Sequence, residues 1–266
     1  MPRPSLEKIL KVAQDRALAL EERSDELERQ AAAAPAPPSF RHALDGRAVG
    51  VIAEVKRRSP SAGAIREDLD PVRHARAYQR GGAVAISVLT EQPHFGGSLA
   101  DLAAVAREVG LPVLRKDFIV HDLQVVEARA AGAAAVLLIA RLLAPGALRR
   151  LARAARAQGL GTLIEVHTED ELDRALAAEP TAVGVNSRDL ATFAVHLEAA
   201  ERLVGKVPPD IPTVAESGIA ARPDVERMAA AGADLVLVGT SVARTADPAA
   251  AVRALVGVPR RGRPTT

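Results

Sequence analysis

Lysine is scarce in this chain. Of 35 basic residues only five are lysines: Lys8, Lys11, Lys56, Lys116 and Lys206. Lys56 and Lys116 follow short apolar runs of the kind that form buried strands, so both fall at strand ends. Arginine keeps its charge at any working pH, whereas a partly buried lysine can shift its pKa and exchange a proton. In a composition that favours arginine, the two are candidate general acids, with Schiff-base formation as the other lysine chemistry. Other polar groups end similar runs: Glu54 and Ser59-Pro60-Ser61 around Lys56, then Ser87 and Glu91, Asp117, Glu165, Asn186 and Arg188, and Glu216 with Ser217. One such group alone is a solvated strand end; recurrence after run upon run marks a reaction rim. Two glycine turns, Ser217-Gly218-Ile219 and Gly239-Thr240-Ser241, are suited to an anion, because glycine lets backbone N–H groups approach a phosphate closely.

The elements that must position these groups follow from periodicity. Eight apolar runs occur at 49–55, 83–89, 112–114 with an extension to 118, 134–140, 161–166, 182–185, 213–215 and 235–238. Segments of helical length separate them, among them 98–109, 123–131, 145–158 and 169–178, and glycines punctuate many of the exits. Strict alternation of strand and helix calls for parallel pairing with right-handed crossovers, and runs apolar at consecutive positions call for strands buried on both faces. Eight such units predict an α/β fold, a (β/α)8 TIM barrel, whose chemistry gathers at the C-terminal ends of its strands. A doubly wound open sheet competes, but no Gly-x-Gly-x-x-Gly turn follows the first strand.

Ahead of the barrel, Leu6, Ile9, Leu10, Ala13, Ala17 and Leu20 form one apolar stripe, which predicts an amphipathic helix continuing through Arg29. An alanine run then meets Pro35, Pro37 and Pro38, which end it. The expected organisation is an N-terminal helical extension and linker over 1–47, a catalytic barrel over 48–257 and a basic, disordered tail over 258–266.

Composition removes several function classes. With no cysteine there is no disulfide, thiolate chemistry or Cys-based zinc site, and no two of the six histidines lie three or four residues apart as a local metal pair. The net charge of +2 includes Arg260, Arg261 and Arg263 of the tail, so the body is close to neutral. With aromatics at only 2%, this is not the surface of a nucleic-acid binder. No apolar run has membrane-spanning length and the N-terminus lacks a signal-like core, so a cytoplasmic protein without membrane or nucleic-acid partners is expected.

The motifs converge on one family. The run Ile52-Ala53-Glu54-Val55-Lys56-Arg57-Arg58-Ser59-Pro60-Ser61 resembles the first-strand signature of indole-3-glycerol-phosphate synthases. Similar matches follow in order at Ile86–Glu91, Phe95-Gly96-Gly97-Ser98, Leu114-Arg115-Lys116-Asp117-Phe118-Ile119, Leu163-Ile164-Glu165-Val166, Asn186-Ser187-Arg188-Asp189-Leu190 and Ala215-Glu216-Ser217-Gly218-Ile219. The resemblance runs from the N-terminal helix to about Val242. It implies a cofactor-free closure of 1-(2-carboxyphenylamino)-1-deoxyribulose 5-phosphate to indole-3-glycerol phosphate, carbon dioxide and water, in tryptophan biosynthesis.

By that resemblance Lys116 is the acid for ring closure, Lys56 a second ammonium that assists dehydration or binds carboxylate, and Glu165 the base. Glu54 orients Lys56, and Asn186 and Arg188 orient the ring carboxylate, hydroxyls or neighbouring acids. Phe118 and Leu137 line an apolar slot for the anthranilate ring, while Ser59, Ser217, Gly218, Gly239 and Thr240 form the phosphate side. No metal is implied; the partner is a phosphorylated small molecule, and the chain is a monomer or weak homo-oligomer. Thr240 departs from the Ser or Glu expected there but keeps a hydroxyl, and Arg58 and Ala62 also differ. The segment 57–68 is long for a strand-to-helix loop and is expected to cover the ligand. Rival readings are an aminosugar isomerase, a Schiff-base lyase and a barrel retained as a scaffold; the first usually has a cysteine base, absent here.

Overall fold

Alternation within the strands explains the architecture. In the computed structural model, which describes residues 6–189 and 192–262, the eight apolar runs become β1 (Gly50–Val55), β2 (Ala85–Leu89), β3 (Val113–Lys116), β4 (Ala135–Ile139), β5 (Gly161–Val166), β6 (Ala182–Asn186), β7 (Thr213–Glu216) and β8 (Leu235–Val238). All neighbours are parallel. Pairing of Gly50 with Leu235 and of Ile52 with Ala85 joins β1 to both β8 and β2, which closes the barrel. The fold is a TIM barrel.

Each strand sends alternate residues to opposite faces. Outward positions such as Val51, Val88, Val136, Leu138, Ile164, Val183 and Val236 pack in one cluster with the surrounding helices. Inward positions Ile52, Ala85, Leu114, Leu137, Leu163, Ala182, Val214 and Leu237 fill the barrel's interior with Phe40 and Leu44. Burying a side chain of this size contributes about 1.5–3 kcal/mol, so the interior is a packed plug and not a channel. Phe40, on a short helix (Phe40–Ala43), seats against Gly161, where a Cβ would lie 2.9 Å from its ring.

The extension departs from its expected form. One helix through Arg29 is predicted; instead the chain forms α1 (Leu6–Leu18), a single 3-10 turn (Glu21–Arg23) and α2 (Ser24–Ala33). The two stretches serve different surfaces. Ile9 and Ala13 join the interior cluster beside Phe118, whereas Leu27 and Ala31 pack on Val126 of the helix Asp122–Ala130. No straight helix presents both faces at once, so the chain bends between them. The Leu6 side chain lies outside the described residues.

The tail also differs from its expectation of disorder from 258. Val258 is buried and accepts a hydrogen bond from the Val49 N–H, and Pro259 bridges Ala48. Arg260 donates to the carbonyls of Ala48 (3.0 Å) and Leu44 (2.6 Å) and lies 3.5 Å from Asp234. The last part of the tail, 263–266, lies outside the described residues. Among the described residues no helix is long and apolar enough to cross a membrane.

Candidate active site

Inward parity decides which polar groups meet. Lower positions of the interior are apolar, while the same parity carried to the strand ends gives Glu54 and Lys56 from β1, Ser87 from β2, Lys116 from β3, Glu165 from β5, Asn186 from β6 and Glu216 from β7. The thirteen residues picked out from sequence (Lys116, Glu165, Lys56, Glu54, Asn186, Arg188, Ser59, Phe118, Leu137, Ser217, Gly218, Gly239 and Thr240) all line one cavity of about 630 Å³ at this rim. Leu190, last residue of the Asn186 motif, lies outside the described residues.

Two lysines and three carboxylates make up its floor. Lys56 Nζ lies 2.8 Å from Glu54 Oε1. Lys116 Nζ lies 2.5 Å from Glu216 Oε2 and 3.5 Å from Glu165 Oε2. Burial pushes the Glu54 carboxyl up, but Lys56 and Lys116 outweigh it and hold Glu54 below the usual carboxylate range. Lys116 shows the same balance with the opposite sign: burial disfavours its charge, yet Glu216, Glu165 and Glu54 keep it firmly protonated. Glu216 is the exception. Burial dominates, with Glu165 and Glu54 adding repulsion against the attraction of Lys116, and its carboxyl is pushed up to about 7.

Glycines make room for this cluster. A Cβ on Gly184 would run into Glu216 Oε1, and one on Gly239 would lie 2.5 Å from Glu54 Oε1 and 2.9 Å from Lys56 Nζ. Side chains there would displace the charged groups themselves.

An apolar wall and a polar wall flank the floor. Phe118, Leu137, Leu89, Ile139 and Phe95 form the first, with the rings of Phe95 and Phe118 6.3 Å apart. Opposite, Ser217 and Gly218 both take positive φ (66° and 73°), an unusual conformation for serine. A Cβ on Gly218 would meet Leu197 at 2.8 Å, so glycine is needed there for space as well. No side chain caps the short helix Thr240–Ala243 that starts after Gly239, which leaves its first N–H groups for another acceptor. Arg188 also lines the cavity; it donates to the Phe193 carbonyl at 3.0 Å, and burial lowers its pKa.

The expected long loop after β1 is a two-stranded hairpin, Arg58–Ser59 against Gly63–Ala64. Arg57 is ion-paired with Asp101, and Arg58 donates to the Pro93 carbonyl at 2.6 Å. Ser59 is buried beside its turn, its Oγ accepting from the Ala62 N–H at 3.1 Å.

The family model described as indole-3-glycerol phosphate synthase matches residues 6–255. The chain belongs to that family. Indole-3-glycerol phosphate synthases from Nocardioides sp. and Mycolicibacterium vanbaalenii are 55% and 49% identical to it, over 80% and 87% of this chain and 82% and 85% of theirs. One from Opitutus terrae is 47% identical over 85% of this chain and 88% of its own. Among solved structures, tryptophan synthase from M. tuberculosis superposes with a TM-score of 0.63 at 18% identity, covering 82% of this chain and 98% of that one. A 3-hexulose-6-phosphate synthase gives 0.63 at 19%, covering 78% and 98%. Those two likenesses concern the fold alone.

For an indole-3-glycerol phosphate synthase chain, sequence reasoning left out three features that the geometry makes prominent. Glu216 appears in the sequence only as one rim group among many, yet it is the nearest anion to Lys116; its place two positions beyond inward Val214 was the available signal. Phe95 faces the cavity with no periodicity to announce it. Asp117, next to Lys116, is gripped by Arg16 of α1 at 2.8 and 3.1 Å and by Thr90 at 2.5 Å. Nothing local links Arg16 to a residue 101 positions away.

Proposed function

We propose that this cavity closes the indole ring of indole-3-glycerol phosphate, from 1-(2-carboxyphenylamino)-1-deoxyribulose 5-phosphate, by residues of this chain without a cofactor. The observation that carries the reading is Lys116 protonated on the cavity floor between two carboxylates, with an apolar slot on one side and a glycine-lined, uncapped helix end on the other.

The phosphate sits on the side of Ser59, Ser217, Gly218, Gly239 and Thr240, where backbone N–H groups and hydroxyls donate to it. The anthranilate ring lies against Phe118 and Leu137. Ring closure needs a proton on the carbonyl oxygen as the aryl carbon bearing the carboxylate attacks, and the Lys116 ammonium supplies it. Glu216, titrating near neutrality, relaxes its hold on Lys116 once it takes a proton itself. Loss of carbon dioxide restores aromaticity. Dehydration then requires a base, Glu165, and a second ammonium, Lys56, which Glu54 pairs with and aims. Asn186 and Arg188 orient the substrate carboxylate and hydroxyls. Leu18 and Val195 are the exposed large hydrophobics among the described residues, and such sparse apolar surface supports a monomer or weak homo-oligomer.

The test is turnover of the carboxyphenylamino-deoxyribulose phosphate, followed by indole absorbance and carbon dioxide release. Lys116→Ala and Glu165→Ala should each lose about 100-fold or more in kcat, the scale of general acid–base catalysis, with the circular-dichroism spectrum unchanged. Near-normal turnover in Lys116→Ala would remove its role.

A further inference from the structure

Glu165 has a second neighbour that the reaction scheme does not use. Its Oε2 faces Lys116, while its Oε1 is buried without a hydrogen bond. The ring of His167, two residues on and outside the cavity lining, brings Nε2 to 3.6 Å from that oxygen, and Nε2 is likewise buried and unpartnered. Two buried polar atoms are left unpaired here, and closing their gap by about half an ångström would satisfy both.

The other ring nitrogen fixes what can pass between them. His167 Nδ1 lies 3.2 Å from Glu171 Oε2, and the His167 backbone N–H donates to the same oxygen at 2.7 Å. Burial pushes Glu171 up, but His167 and Arg141 outweigh it and hold its carboxyl at about 2, so it is ionised and can only accept. Nδ1 therefore carries a proton. A neutral ring would then turn a lone pair from Nε2 toward a carboxylate lone pair. Attraction across this gap needs one proton between Nε2 and Oε1.

We propose that His167 is a positioning residue for Glu165: held by Glu171, its imidazolium holds Oε1 and so aims the Glu165 carboxylate, leaving Oε2 to take the substrate proton. The inference rests on the reading of Glu165 as the base. The charged groups around the pair are Glu171 on the helix Glu169–Leu176, Arg141 after β4 (2.8 Å from Glu171), Asp189 (3.0 Å from Arg141), Lys116 on β3 and Glu216 on β7. Burial lowers His167, and Arg141 opposes its charge, but Glu171 and Glu165 prevail and raise its pKa above the ordinary value. The charge on His167 that makes the pairing is lost as pH rises through that raised value.

His167→Asn should move the acid limb of the kcat profile up by about one pH unit, because the variant removes the opposite charge beside the proposed base. Below the limb this reads as about a tenfold loss in kcat, with little change at pH 8 and KM within about twofold. Glu171→Gln should shift the limb the same way by less, and the double variant no further than His167→Asn alone. A coincident acid limb, a loss equal at all pH values, or additive shifts would overturn the proposal. Nitrogen NMR of the wild-type protein, which needs no folded variant, should find both His167 nitrogens protonated at pH 7. A neutral ring there overturns it equally. Failure of the base assignment is distinguishable: it appears as retained turnover in Glu165→Gln, whatever the His167 spectrum shows.

Discussion

In the proposed reaction Lys116 has to be charged to bind and orient, yet give up a proton to react. Its carboxylate neighbours settle the first demand, and Glu216 serves the second because burial lifts that carboxyl to about 7. The arrangement depends on empty space at Gly184, whose missing Cβ leaves room for Glu216 Oε1. Gly184→Ala is therefore expected to push Glu216 from Lys116 and lower kcat by about 10–100-fold, since small displacements of positioned groups cost rate on that scale. Overpacking of this kind also costs about 1–3 kcal/mol, readable in a urea transition. A mutant with unaltered kcat would mean that Glu216 can move without consequence. Of this cluster, Glu54, Lys56, Lys116 and Glu165 were legible in the sequence because each ends an apolar run. The importance of Glu216 was not, because it arises from proximity to Lys116 on a strand four places away in chain order.

At the scale of elements, α1 acts on the site through a single clamp. Arg16 holds the buried Asp117 carboxylate, itself between the catalytic-rim residues Lys116 and Phe118. Burial raises Asp117, but Arg115, Arg16 and Thr90 bring it down to about 2 from 3.8, so the stability it contributes is present above pH 3.8 and fades as pH falls toward 2. Arg16→Ala should cost about 1–2 kcal/mol at neutral pH, given that Arg115 and Thr90 still hold Asp117, and should narrow that acid-side dependence. Urea denaturation at pH 7 and pH 3 measures both. The hairpin after β1 makes the second element-scale prediction. It has only two paired residues on each side and its second strand, Gly63–Ala64, is exposed, so its amides should exchange quickly in the free protein and slow when a substrate analogue binds. Exchange that ignores the analogue would count against a covering role. The sequence called for a helix and a long loop in these two places; it could not reveal the bend in the extension or the hairpin, since both depend on which barrel surface each segment meets.

For the whole molecule, the segment before β1 and the segment after the last helix are fastened together beneath the barrel, at the end opposite the cavity. Arg260 bonds to the carbonyls of Leu44 and Ala48 and approaches Asp234, closing the segment before β1 against the loop before β8. Arg260→Ala should lower stability by about 1–3 kcal/mol in a denaturant titration while leaving kcat and KM near wild type, because the lost contacts are remote from the rim. A matching loss of activity at full folding would mean that the bottom of the barrel communicates with the top. This arginine counted in the sequence only as part of a basic tail, since charge alone does not tell a solvated arginine from one whose forked donors are taken up by backbone carbonyls.

By itself the sequence determined the barrel, the end of it that does chemistry and most of the residues assembled there. These are consequences of local pattern: strand and helix periods fix which elements form, and parity along a strand fixes which side chains enter the interior. The tertiary structure decided the partners. That Lys116 faces Glu216, that Arg16 reaches Asp117 and that Arg260 is a clasp are matters of distance between remote segments, fixed by barrel closure and by the register of its strands.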